Sequence, residues 1–136
     1  MTETVTPQPM ILVIEDEIQM RRLLRACLER NDYRVIEAAN GDEAHQLLVE
    51  HPEQHIDVLF TDVVMPGRLD GIDLANEART LRSDLPVLYA TGFANLLRVN
   101  READLRGPVL RKPYRPRELH RASIALLHPD PESDHH

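Results

Sequence analysis

The chain has 136 residues, 42% hydrophobic and 29% charged, with a formal net charge of −7. That is the length and composition of one ordinary globular domain, large enough to build a core without disulfide or metal staples. The acidic balance disfavours general nucleic-acid binding, the lone Cys27 excludes a disulfide framework and fits a reducing compartment, and no apolar run or basic leader suggests a membrane span or export. The expectation is a cytoplasmic domain.

Residues 1–9 are polar and carry two prolines, which reads as a loose tail. Met10-Ile11-Leu12-Val13-Ile14 is a continuous apolar run fitting a fully buried parallel strand. It stops at Glu15-Asp16-Glu17. Met20, Leu23, Leu24, Cys27 and Leu28 then recur at helical spacing, with Arg21, Arg22, Arg25, Glu29 and Arg30 on the other face, so Cys27 reads as a core residue. Tyr33 to Ala38 is a second short strand. Asn40 is a helix cap with Glu43 three positions on, ahead of Ala44, Leu47 and Leu48.

The third strand, Val58-Leu59-Phe60, ends at one acid, Asp62, and breaks at Met65-Pro66-Gly67. Asp70 caps a helix carrying Leu74, Ala75, Ala78 and Leu81 on one side. Pro86 to Ala90 is a fourth strand, stopped by Thr91-Gly92. Residues 94–105 give a blurred helical pattern that predicts a short or mobile helix. Pro108-Val109-Leu110 is a fifth strand, ended by Arg111-Lys112-Pro113. Pro116 suits a first helical position, and Leu119, Ala122, Leu126 and Leu127 form an apolar side down to His128. Residues 129–136 are acidic and proline-containing and read as a second tail, which leaves 10–128 as the domain. Five strands alternating with five helices predict an α/β fold: a doubly wound parallel sheet in the flavodoxin-like order 2-1-3-4-5, with helices on both faces and a crevice between strands 1 and 3.

The chemistry-bearing residues gather at the predicted carboxyl ends of the strands: Glu15, Asp16 and Glu17 after the first, Asp62 after the third, Thr91 after the fourth and Lys112 after the fifth. Ligands bind at that end of open parallel sheets. Crowded carboxylates repel unless a cation joins them, and oxygen ligands of this kind suit Mg²⁺. A lysine and a threonine hydroxyl suit phosphoryl oxygens, and a carboxylate can be the nucleophile that forms an aspartyl phosphate. Taken singly, an acid ending a strand is a turn residue and Lys-Pro a loop. It is their coincidence at one crevice that points to function.

The ensemble resembles the receiver (response-regulator) domain of two-component signalling. Its pieces are Ile14-Glu15-Asp16-Glu17, Asp62-Val63-Val64-Met65-Pro66-Gly67, Ala90-Thr91-Gly92 and Arg111-Lys112-Pro113-Tyr114, and the likeness runs from Met10 to Leu127. The resemblance implies Asp62 as phosphoacceptor for a phosphohistidine and Asp16, Asp62 and the main-chain carbonyl of Val64 as Mg²⁺ ligands. It also implies Glu15 acting through metal-bound water, Thr91 donating to the phosphoryl group, Lys112 pairing with it and a cis Lys112–Pro113 peptide. The implied partners are a histidine kinase or histidine phosphotransfer protein and a downstream protein target, with a phosphorylation-dependent dimer allowed and neither nucleic acid nor membrane expected. The protein would be a signalling phosphoacceptor rather than an enzyme. Two alternatives stand beside this: a receiver excised from a hybrid histidine kinase, and an aspartate-based Mg²⁺-dependent phosphohydrolase. The latter lacks its usual second acid, because Val64 holds that place.

Three features depart from the commonest family pattern. Val109 stands where an aromatic reporter of phosphorylation is usual. Tyr89-Ala90-Thr91-Gly92-Phe93 resembles instead a subgroup with a Phe-Ala-Thr-Gly signature, leaving Tyr89 and Phe93 as either switch residues or packing residues. The loop from Gly67 to Gly71 reads as one residue longer than usual, with Arg68 either a peripheral phosphate contact or an exposed loop residue. His51 and His55, separated by Pro52, do not make a metal-binding pair, and the positive stretch Arg111, Lys112, Arg115, Arg117 and Arg121 is either a partner surface or a solvated face.

Overall fold

The computed structural model describes residues 8–65, 67–92 and 105–128. In chain order the elements are β1 (Met10–Ile14), α1 (Ile18–Arg30), β2 (Arg34–Ala38), α2 (Gly41–Glu50), β3 (Val58–Asp62), α3 (Gly71–Leu81), β4 (Val87–Thr91), β5 (Val109–Arg111) and α4 (Pro116–Leu127). The helix expected over 94–105 lies outside the described residues, except for Leu105, which packs against the core. The strands form one parallel sheet in the order β2-β1-β3-β4-β5, as the alternation of elements predicts.

Why the inner strands read as continuous apolar runs is plain from the two cores. Alternate side chains of a strand point to opposite faces, and both faces of β1, β3 and β4 are covered. Met10, Leu12, Ile14, Leu59, Val87 and Tyr89 point to one side, against Ala44 and Leu48 of α2 and Ile72, Leu74, Ala75 and Ala78 of α3. Ile11, Val13, Val58, Phe60, Leu88 and Ala90 point to the other, against Leu24 and Leu28 of α1 and Leu119 of α4.

The caps that the sequence foretells are present. Asn40 Oδ1 accepts from the Glu43 N–H at 2.8 Å, and Asp70 Oδ1 accepts from the Asp73 N–H at 2.8 Å. Pro116 opens α4, where Glu118 Oε1 accepts from the Arg115 N–H at 2.9 Å.

Three residues of the predicted apolar helix faces lie elsewhere: Leu23 and Leu81 are 49% and 47% exposed, and Cys27 is only partly buried. Each helical step turns about 100°, so once Leu24 and Leu28 aim at the sheet, Leu23 looks outward and Cys27 sits at the rim.

Candidate functional site

Register decides which strand ends meet. Ile14 of β1 lies beside Ala38 of β2 and Thr61 of β3, Asp62 beside Ala90 of β4, and Thr91 beside Arg111 of β5. The first polar residues after β1 and β5, and the last ones of β3 and β4, therefore stand along one edge. Glu15, Asp62 and Thr91 are buried there, while Asp16 is exposed. Carboxylate oxygens of Glu15, Asp16 and Asp62 all lie within 4.8 Å of one another.

Lys112 completes the cluster. Its N–H donates to the Thr91 carbonyl at 2.9 Å, which continues the β4–β5 ladder, and its Nζ lies 2.8 Å from Asp62 Oδ1. The Lys112–Pro113 peptide is cis, as the resemblance implies. The Thr91 hydroxyl donates to the Gly92 carbonyl at 3.3 Å. Glu15 is held by its own N–H to the Ala38 carbonyl at 3.1 Å, and its Oε2 accepts from the Glu17 N–H at 3.1 Å.

Electrostatics follow from this crowding. Burial, and then the Asp62 charge, push the Glu15 carboxyl up to about 7. Burial also raises Asp62, against the opposing pull of Lys112. For Lys112 burial disfavours the charge, but the hydrogen bond to Asp62 and the charges of Asp62, Glu15 and Asp16 outweigh it and raise its pKa. Three carboxyls and one ammonium leave excess negative charge in a partly enclosed place. The donors are all hard oxygens, the set that suits Mg²⁺. The residues thus fit a divalent cation.

Val64, two residues past Asp62, has its side chain 50% exposed. The backbone just before it is pinned twice: the Val63 N–H donates to the Ala90 carbonyl at 2.9 Å, and the Val63 carbonyl accepts from the Gly71 N–H at 2.8 Å. Farther along, the Arg68 N–H donates to Asp42 Oδ2 at 3.2 Å and Arg68 Nε lies 3.3 Å from Asp42 Oδ1. Of the two readings of Arg68, the structure has an exposed loop residue clipped to α2. Tyr89 is fully buried and faces Val109 across the ladder, Val109 is 38% exposed, and Phe93 lies outside the described residues. His51 and His55 pair with Glu53 and Asp57, not with each other. The Arg111, Lys112, Arg115, Arg117 and Arg121 stretch is exposed throughout.

Two contributions escaped the sequence reading. Tyr114 meets Phe60 edge-on, with ring centroids 5.8 Å apart, and its hydroxyl pKa is raised by burial and then by Asp62 and Glu15, so it borders the acids. It also lines, with Met20 and Lys112, a groove of about 460 Å³ that opens from the acids. The second is Arg21, which donates from Nη1 to the Glu15 carbonyl and from Nε to Glu37 Oε1, each at 2.9 Å. Its signal was present as a charged face on the first helix, but nothing in the sequence says which strand residue such a face meets.

Comparison with known proteins identifies the family. The family model described as the response regulator receiver domain matches residues 11–123. The response regulator receiver protein CpdR of Brucella abortus is 40% identical over 110 residues, covering 80% of this chain and 88% of that protein. The transcriptional regulatory protein ResD of Bacillus subtilis is 34% identical over 122 residues, covering 90% of this chain and 49% of ResD, so the chain spans about half the length of such relatives. Among solved structures, a response regulator receiver domain protein from Clostridium thermocellum superimposes with a TM-score of 0.77 at 28% identity, covering 88% of this chain and 94% of that one. Among the described residues no helix is long and apolar enough to cross a membrane.

Proposed function

The chain belongs to the response regulator receiver domain family of two-component systems, and from that premise we propose that Asp62 accepts a phosphoryl group from a phosphohistidine with the help of Mg²⁺. The observation that carries the reading is the Asp62 carboxylate itself, buried at a strand end, 2.8 Å from Lys112 Nζ and within 4.8 Å of the Glu15 and Asp16 carboxylates. Residues 10–128 form the unit that does this.

In the transfer a carboxylate oxygen of Asp62 attacks phosphorus in line and forms an acyl phosphate. The phosphorus–nitrogen bond breaks, and the imidazole leaves with that electron pair and takes up a proton. Little covalent work falls to the protein, so catalysis is positioning plus electrostatics. Lys112 orients Asp62 beforehand and then faces the charge on the transferring oxygens. The Thr91 hydroxyl, on the Gly92 carbonyl at rest, turns to donate to a phosphoryl oxygen. Asp16, Asp62 and the Val64 carbonyl would hold the metal, with Glu15 acting through water. When bound, Mg²⁺ neutralises the crowded carboxylates and the incoming phosphoryl charge. Turning Thr91 biases β4 and β5 toward an arrangement already sampled, which alters protein partners. Donors are a histidine kinase or histidine phosphotransfer protein, and the net charge of −7 supports protein rather than nucleic-acid surfaces as targets.

The test is incubation with Mg²⁺ and acetyl phosphate followed by intact mass measurement. A phosphate adduct is expected on the wild type and none on Asp62→Asn. No adduct on the wild type, or an equal one on the variant, overturns the assignment.

A further inference from the structure

We propose that Arg21 is a positioning residue for the cation site, holding the Glu15–Asp16 turn in place from α1 by bridging it to Glu37 of β2. The inference rests on reading Glu15, Asp16 and Asp62 as a divalent-cation site.

The turn between β1 and α1 gathers like charge. Three consecutive acids occupy it, and two of them stand within 4.8 Å of a third carboxylate, Asp62. Mutual repulsion of their charges works against this arrangement. Within the turn Glu15 Oε2 accepts from the Glu17 N–H at 3.1 Å, but Glu17 at the N-cap of α1 makes no side-chain capping bond. Arg21, one turn into α1, adds a tie from the helix: Nη1 donates to the Glu15 carbonyl at 2.9 Å.

Arg21 is itself fixed. Its Nε donates to Glu37 Oε1 at 2.9 Å, and its side chain is only 17% exposed. Arg25, four residues on and so on the same face of α1, donates to the other Glu37 oxygen and to Glu29. Glu37 therefore stands between two guanidinium groups, yet only Arg21 reaches onward to the acid turn. A planar guanidinium can serve a carbonyl and a carboxylate together from separate nitrogens, which an ammonium on a flexible stem does less well. A partner of this kind, oriented behind the ligands, tunes metal affinity without touching the metal.

The two arginines make the experiment discriminating, since both bind Glu37 and only one binds the Glu15 carbonyl. Mg²⁺ is titrated into full-length wild type, Arg21→Lys, Arg21→Met and Arg25→Met, following the backbone amide resonances of residues 15–17, with thermal midpoints measured in parallel. Arg21→Lys and Arg21→Met are expected to bind Mg²⁺ about 10-fold more weakly or worse, while Arg25→Met keeps wild-type affinity even where its midpoint falls. The resonances of residues 15–17 should broaden or shift in the two Arg21 variants before any metal is added. Wild-type affinity in both Arg21 variants overturns the proposal, as does an equal loss in Arg25→Met, which would mark the network as merely structural. A wild type that does not bind Mg²⁺, or an Asp16→Asn variant that binds it equally, defeats the underlying cation reading instead.

Discussion

At Gly71 the first turn of α3 comes so near β3 that an added Cβ would stand 1.9 Å from the Asp62 carbonyl oxygen and 2.9 Å from Val63 Cα. Both neighbours are backbone and neither can swing aside. The contact matters because the Gly71 N–H also donates to the Val63 carbonyl, so the helix start and the end of the acid-bearing strand are one unit. Gly71→Ala is expected to destabilise the fold by about 1–3 kcal/mol, the usual cost of overpacking, and to lower Asp62 phosphorylation, because relief requires moving one backbone off the other. Urea denaturation checks the first, and an unchanged midpoint would contradict it. The acids and Lys112 were legible as candidates because they punctuate apolar runs. Gly71 was not, since a glycine in a loop-to-helix junction carries no sign of what its missing side chain would strike.

The helix α1 shows what periodicity can and cannot say at the scale of an element. Helical spacing revealed an amphipathic stretch, but adjacent Leu23 and Leu24 satisfy the pattern almost equally, and only docking on the sheet buries one and leaves the other half exposed. The same docking brings Arg21 and Arg25 onto Glu37. There burial opposes the carboxylate charge, but the hydrogen bonds from Arg25 and Arg21 prevail and hold Glu37 below the usual glutamate value. A folded pKa below the unfolded one gives stability that is full above the unfolded value, 4.5, and is lost as pH falls through the folded value. Glu37→Gln should therefore cost up to about 1 kcal/mol at neutral pH, as partly exposed pairs do. The gap from wild type should close in acid. Paired urea titrations at neutral pH and near pH 3 measure this, and a gap that persists in acid would count against the ion-pair account.

For the molecule as a whole, excess negative charge gathers at the carboxyl edge of the sheet, and the proposed cation would link its binding to folding. Three carboxylates near one another repel, a cost that Lys112 beside Asp62 offsets only in part. A cation that binds only the native state stabilises it by about 2.7 kcal/mol at 100 times its dissociation constant. Thermal unfolding should thus shift upward with Mg²⁺ in the wild type and much less in Asp16→Asn. Equal shifts in the two proteins would remove Asp16 from the site.

By itself the sequence determined the α/β class and the identity of the polar residues at the strand ends. Those are properties of local pattern: apolar runs of strand length, caps at Asn40 and Asp70, and breaks after Asp62, Thr91 and Lys112. Tertiary structure alone decided which distant groups touch. That Lys112 reaches Asp62 from fifty residues away, that Arg21 ties Glu15 to Glu37, and that Gly71 must lack a side chain all depend on sheet register and helix docking. Burial and contact are set by long-range packing, and a one-dimensional pattern does not encode the distances on which a carboxylate's charge, partners and chemistry depend.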